Sequence, residues 1–171
     1  FEDMQSLIQD FNSDGYQDLY IVSGDTEAPE GEMYQDRLYL NDGAANFTKS
    51  IQAIPKIVSS GEYALSLDFD NDGDMDIFRG GRTVPDKYPY APQSYLLENN
   101  GKGLFKDVTD EKANVLKKCG MITSGEWVDL IGDKSKELVL CGDWLGIKIY
   151  SWDGQKFIEV DVSHLGLDRQ E

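Results

Sequence analysis

Asp10-Phe11-Asn12-Ser13-Asp14-Gly15-Tyr16-Gln17-Asp18 and Asp68-Phe69-Asp70-Asn71-Asp72-Gly73-Asp74-Met75-Asp76 are two versions of one pattern, Asp-Phe-Asn/Asp-x-Asp-Gly-x-x-Asp, offset by 58 residues (10 to 68). A weaker third version, Asp129-Leu130-Ile131-Gly132-Asp133-Lys134-Ser135-Lys136-Glu137, follows 61 residues later (68 to 129). A second marker follows each copy at a similar distance. It reads Leu38-Tyr39-Leu40-Asn41-Asp42-Gly43 with Phe47, Tyr95-Leu96-Leu97-Glu98-Asn99-Asn100-Gly101 with Phe105, and Ile147-Lys148-Ile149-Tyr150-Ser151-Trp152-Asp153-Gly154 with Phe157. Two independent markers recurring in the same order make a structural repeat.

Around each marker the apolar residues come in short runs such as Leu19–Val22, Tyr63–Leu67, Ile77–Phe78 and Leu138–Leu140, with strand-like composition. Asn-Asp-Gly, Asn-Asn-Gly and Asp-Gly supply turns that tolerate the positive φ of a tight hairpin. Helical periodicity is nearly absent; 110–118 is the one stretch that accommodates a helical turn or two. The pattern predicts an all-β chain of about three four-stranded antiparallel repeats, the unit of a β-propeller blade. Blade 1 is assigned to 1–58 with an acidic loop at 10–18, blade 2 to 59–116 with a loop at 68–76, and blade 3 to 117–162 with a degenerate loop at 129–137. Residues 163–171 read as the lead-in to a further blade. Propellers close with about 4–8 blades, so three read as a piece of a larger ring.

In each full loop the odd positions carry oxygen: Asp10, Asn12, Asp14 and Asp18 in the first, and Asp68, Asp70, Asp72 and Asp76 in the second. Position 7, Tyr16 or Asp74, is expected to offer a main-chain carbonyl. An all-oxygen cage with a glycine at the turn suits a hard cation with 6–8 ligands, which favours Ca²⁺, two ions in all. An EF-hand is excluded, because its twelfth position needs Glu and here holds Ile21 or Arg79. A lone loop of this kind is also what a solvated acidic turn looks like; two in register are not explained that way. Loop 3 has Ile131 at a ligand position and Lys134 in place of the glycine, so no metal is expected there, and Lys134 or Lys136 supplies positive charge instead.

The chain has 171 residues, with 16 Lys and Arg against 32 Asp and Glu, a formal charge of −16. That argues against nucleic acid, which needs a cationic patch. With 40% apolar residues it is too apolar for a disordered acidic tail. No apolar run approaches the length that spans a bilayer. The lone histidine, His164, has no identifiable nucleophile beside it, and the carboxylates are accounted for as metal ligands, so the residues give little support to an enzyme. Cys119 and Cys141 read as buried small apolar residues and not as a disulfide, with Cys141 expected opposite about residue 126.

In a four-stranded blade the acidic loops and the Asn-Gly hairpins share one face. The connections at 23–36, 80–93 and 142–146 lie on the other, where Tyr34, Arg37, Arg82, Tyr88, Tyr90 and Trp144 are candidates for contacting a glycan or protein ligand. Met33, Lys87 and Asp143 accompany them. Aromatic faces beside Arg suit sugar stacking or peptide anchoring; the same Pro-flanked tyrosines also suit folding that loop onto its own blade.

Asp-x-Asp-x-Asp-Gly-x-x-Asp in blade-like repeats resembles the FG-GAP/VCBS repeats shared with integrin α-subunit propellers. Gly80-Gly81-Arg82, Pro85, Tyr88-Pro89, Pro92, Ser94–Leu97, Phe105–Thr109, Gly120–Thr123, Trp127-x-Asp129 and Gly142-Asp143-Trp144 are similar to VCBS-repeat proteins that often carry an ASPIC/UnbV domain, though no such domain is present in this chain. The resemblance implies a calcium-binding repeat module of a larger, seven-bladed propeller. It also implies a secreted or cell-surface location (extracellular, periplasmic or outer membrane), with adhesion or glycan-related binding. Further blades or a partner would cover the open edges. The alternatives are the scaffold portion of a propeller polysaccharide lyase and a purely structural repeat.

Overall fold

A computed structural model describes residues 2–27, 29–163 and 166. Among these residues twelve strands form three separate four-stranded antiparallel sheets, each built from four consecutive strands in spatial order. Blade 1 holds β1 (Glu2–Gln9), β2 (Asp18–Gly24), β3 (Arg37–Asn41) and β4 (Phe47–Ser50). Blade 2 holds β5 (Ser60–Leu67), β6 (Asp76–Thr83), β7 (Tyr95–Asn99) and β8 (Phe105–Asp107). Blade 3 holds β9 (Met121–Val128), β10 (Glu137–Asp143), β11 (Gly146–Trp152) and β12 (Phe157–Glu159). This is the architecture of consecutive propeller blades. The strands run further into the far-face connections than the residue pattern shows: β6 continues through Gly80-Gly81-Arg82 to Thr83.

Each sheet covers the next. The strand β6 is buried along nearly its whole length, because blades 1 and 3 flank its two faces: the neighbours Ile77 and Phe78 enter the cores on opposite sides, and even Arg79 is removed from water. Between blades 1 and 2 the core gathers Phe11, Tyr20, Val22, Leu38, Ile77 and Leu97. Between blades 2 and 3 it gathers Phe69, Phe78, Leu96, Ile122, Leu140 and Phe157.

A buried ion pair also joins blades 1 and 2. The Arg79 side chain is 0% exposed, and its Nε donates to Asp36 Oδ2 at 3.1 Å. Its Nη1 donates to Ser59 Oγ (3.0 Å), and its Nη2 to the carbonyls of Ser23 (3.1 Å) and Ser59 (2.6 Å). Asp36 in turn accepts from the Tyr20 hydroxyl (2.5 Å) and the Ser23 amide (2.8 Å), and burial beside that carboxylate pushes the Tyr20 phenol well up. Gly61 makes room: a Cβ there would lie 2.4 Å from the guanidinium carbon. Nearly every polar atom of the group is satisfied, the condition under which a buried pair is tolerated.

The helical stretch resolves into one α-helical turn, α1 (Thr109–Lys112), and a 3₁₀ turn (Asn114–Leu116). An unexpected 3₁₀ turn, Glu32–Tyr34, lies in the β2–β3 connection. Cys141 is exposed and pairs across the sheet with Ser124, so the expectations of its burial and of a partner near 126 are corrected; Cys119 is partly buried, and both thiols are free. Burial pushes the Cys119 thiol up to about 11. His164 lies outside the described residues, as do Leu165 and 167–171 of the expected lead-in.

Replacing Arg79 by Leu leaves Asp36 charged and buried without its partner, which costs about 3–5 kcal/mol. Urea unfolding of R79L should show this loss, and the Asp36→Asn/Arg79→Leu double variant should recover part of it.

Candidate metal centre

The three acidic loops share one backbone path, although only two carry a full ligand set. Their fourth and sixth positions lie in the left-handed region: Ser13 and Gly15 (φ 61° and 90°), Asn71 and Gly73 (59° and 94°), Gly132 and Lys134 (82° and 75°). The first carboxylate of each loop collects main-chain amides. Asp10 accepts from Asp14 (3.3 Å) and Gly15 (2.8 Å), Asp68 from Gly73 (3.2 Å), and Asp129 from Gly132 (2.6 Å) and Lys134 (3.1 Å). The fifth-position carboxylates Asp14, Asp72 and Asp133 each accept the amide two residues on, at 2.8–2.9 Å. Amide–carboxylate bonds therefore shape the loop, and Lys134 tolerates a conformation that costs a non-glycine residue about 1–2 kcal/mol.

The ninth position is buried in every blade, as Asp18, Asp76 and Glu137. Each accepts the amide of the loop's second residue: Phe11 (3.0 Å), Phe69 (3.4 Å) or Leu130 (2.9 Å). Asp18 and Asp76 also accept the amides of Asn41 (2.9 Å) and Asn99 (2.8 Å) at the end of the third strand. Burial pushes the Asp76 carboxyl up to about 7 against the pull of the Asn99 and Phe69 amides, and the charges of Asp70 and Asp72 push the same way. Burial likewise raises Asp18, and burial plus Asp72 raises Asp70. These carboxylates stay ionised at neutral pH most readily beside a cation.

In loop 2, oxygens of Asp68, Asp70 and Asp76 come within 4.8 Å of one another. Asp68 Oδ1 and Asp70 Oδ1 are buried and accept no hydrogen bond. Unsatisfied buried carboxylate oxygens are costly, and a divalent cation at their convergence would satisfy both. Among the described residues loop 1, with Asn12 at its third position, forms no such three-carboxylate group. Asp72 and Asp74 stand outside the loop 2 group. The seventh side chain folds over the hairpin glycine of its own blade in both cases. A Cβ on Gly43 would meet the Tyr16 ring at 2.4 Å, and one on Gly101 would meet Asp74 Oδ2 at 2.6 Å. The position 7 side chains are thus turned to the hairpin of their own blade.

Two roles escape the sequence reading. Asn41 and Asn99 look like turn residues, yet their side chains brace the loops. Asn41 Nδ2 donates to the Gln17 carbonyl (3.0 Å), and Asn99 Nδ2 donates to the Met75 carbonyl (3.1 Å) and, across the blade boundary, to the Phe11 carbonyl (2.8 Å). The second residue of each full loop is an interblade plug. Phe11 packs edge-on against Phe105 of blade 2 (5.6 Å between centroids), and Phe69 packs against Trp152 (4.8 Å) and Phe157 (5.8 Å) of blade 3. The recurrence of Asp-Phe at position 1–2 and of a Phe after each hairpin glycine is the signal that pairs them.

On the far face, Arg82 forms ion pairs with Glu62 and with Asp143 Oδ2 of blade 3, the latter at 2.7 Å. The Trp144 indole N–H donates to the Tyr88 hydroxyl. Tyr88, Tyr90 and Trp144 are exposed, so the Pro-flanked loop does not bury its tyrosines. Arg37 pairs with Asp3. Tyr34 is the correction: it is fully buried in the β2–β3 connection and has no face to present to a ligand. On the acidic-loop face a cavity of about 670 Å³ opens between loops 2 and 3, lined by Phe69, Trp127, Trp152, Lys134 and Lys136, with Asp68 at its edge.

Because Asn99 ties two loops and two blades while Asn41 ties one, truncation should differ. Asn99→Ala should cost roughly 1–3 kcal/mol in chemical denaturation and Asn41→Ala less; equal losses would show that the bridge to Phe11 adds nothing.

No curated protein matches the chain. Residues 10–79, which hold loops 1 and 2 and the strands between them, match the model of the FG-GAP-like repeat family.

Proposed function

We propose that the chain is a calcium-stabilised repeat module of an extracellular β-propeller, presenting a ligand-binding face opposite its metal loops. FG-GAP-like repeats are typical of extracellular proteins, and no helix among the described residues is long and apolar enough to cross a membrane. The observation that carries the metal reading is the convergence of Asp68, Asp70 and Asp76 with two buried, unsatisfied oxygens. Ca²⁺ would be held there by these groups, and in loop 1 by Asp10, Asn12, Asp14 and Asp18, with the main chain at Tyr16 and Asp74 completing each shell. Two bound ions reduce the charge from −16 to −12.

Further blades are supported by the interblade plug. Its receiving residue on blade 1, Phe47, is 49% exposed, and its donating residue on blade 3, Leu130, is 47% exposed, whereas the equivalent residues at both internal junctions are buried. Each exposed half fits the complementary half of another blade of the same kind.

The ligand face is supported by Trp144. It is 77% exposed and sits at the tip of the β10–β11 hairpin with φ 61°, a region that disfavours large side chains. Folding alone favours Gly or Asn there, so the indole fits a binding role alongside Tyr88, to a glycan or protein ligand.

Calcium at a hundred times its dissociation constant adds about 2.7 kcal/mol per site, which raises the melting temperature by roughly 5–10 °C. Melting with Ca²⁺ against EDTA reads this directly, and an unchanged melt contradicts the metal reading. Asp70→Ala and Asn12→Ala should each remove one site from a calorimetric titration. Trp144→Gly should leave the melt unchanged or slightly raised while abolishing retention on glycan or protein arrays; a lower melt with retention intact would assign the indole to folding.

A further inference from the structure

Loop 2 contains a cation of its own. Lys112, the last residue of α1, places Nζ 3.4 Å from Asp70 Oδ2 and 3.0 Å from Glu98 Oε2. The helical turn that delivers it is anchored at its first residue by Asp107, whose Oδ1 accepts the amide (2.9 Å) and hydroxyl (2.5 Å) of Thr109. Its ammonium also lies over the rings of Phe69 (5.0 Å) and Trp152 (5.8 Å), so the loop plug and blade 3 both hold it in place. The other oxygen of the same carboxylate, Asp70 Oδ1, is one of the two left without a partner. Among the described ion pairs none reaches the carboxylates of loop 1 or loop 3.

We infer that Lys112 is a tethered counter-ion that competes with the divalent cation for Asp70, making loop 2 a weaker and switchable site despite its extra carboxylate. This rests on the reading of loop 2 as a calcium site. The ammonium and a Ca²⁺ a few ångströms apart repel each other, so ion entry requires Nζ to leave Asp70 for Glu98 alone or for solvent, both within reach of a flexible stem. When the ion leaves, Nζ returns and partly neutralises Asp68, Asp70 and Asp76. Loop 1 lacks this device and empties without replacement. The two sites therefore differ in how calcium couples to the blade 2–blade 3 boundary, because Lys112 is seated against Trp152.

The test is a calorimetric Ca²⁺ titration of the chain with Asn12→Ala to silence loop 1, comparing Lys112, Lys112→Met and Lys112→Arg. Met keeps the stem and removes the charge. Lys112→Met should bind about tenfold more tightly at loop 2, Lys112→Arg should not, and Asp70→Asn should abolish the signal in all backgrounds. Melting in EDTA gives a second readout: Lys112→Met should melt lower than the parent, and added Ca²⁺ should close the gap. Equal affinity in parent and Lys112→Met, or an EDTA melt unaffected by the substitution, overturns the inference while leaving calcium at loop 2 intact. No Ca²⁺ signal in either background overturns the metal reading and this inference together.

Discussion

A carboxylate buried at the base of each acidic loop is the constraint around which the blades are organised. Asp18, Asp76 and Glu137 open the second strand of their blades and are removed from water, where an unpartnered charge is untenable. Each answers by taking the amide of the loop's second residue, and Asp18 and Asp76 also take an amide from the third strand. That set of bonds fixes where the loop leaves the first strand and where the second begins. It also aims the second residue out of the blade. Glu137 keeps the arrangement with one more methylene, and loop 3 follows the path of the others although Ile131 stands where they carry an oxygen.

The consequence is mechanical coupling between a polar loop and an apolar boundary. Fixing the amide of Phe11 or Phe69 also fixes its ring, and that ring is the plug in the next blade; full burial of a phenylalanine contributes about 1.5–3 kcal/mol. Asn99 strengthens the coupling by holding the Phe11 carbonyl from the receiving side. On the opposite face Arg79 performs the corresponding task between blades 1 and 2 through Asp36. The boundary of blades 2 and 3 has instead an aromatic cluster, with Lys112 laid over two of its rings. A cation in loop 2 would thus be felt at a blade junction and not only within its own turn.

The fold was legible because its signals are local and repeated: short apolar runs, glycines at left-handed turn positions, and two markers in fixed order. The odd-numbered oxygens of loop 2 were legible for the same reason, and three of them do converge. What the sequence concealed depends on neighbours that only the packing supplies. Asn41 and Asn99 are indistinguishable from ordinary hairpin residues until their amides are seen against the loops. Arg79 looks like a surface charge in a strand whose two faces turn out to be covered. Tyr34 was expected at a surface because it sits in a long connection, but a 3₁₀ turn carries it inside. Lys112 lies 42 residues from Asp70, and no spacing rule joins them.

The central claim is that the two complete loops are built to hold a divalent cation and the third is not. The most direct measurement is anomalous X-ray scattering from crystals grown in calcium, which locates each ion irrespective of any effect on stability. The account requires one peak among Asp68, Asp70 and Asp76, one among Asp10, Asn12, Asp14 and Asp18, and none at Asp129–Glu137. Peaks absent from both complete loops, with their amide–carboxylate bonds intact, would show that hydrogen bonding alone accounts for these turns.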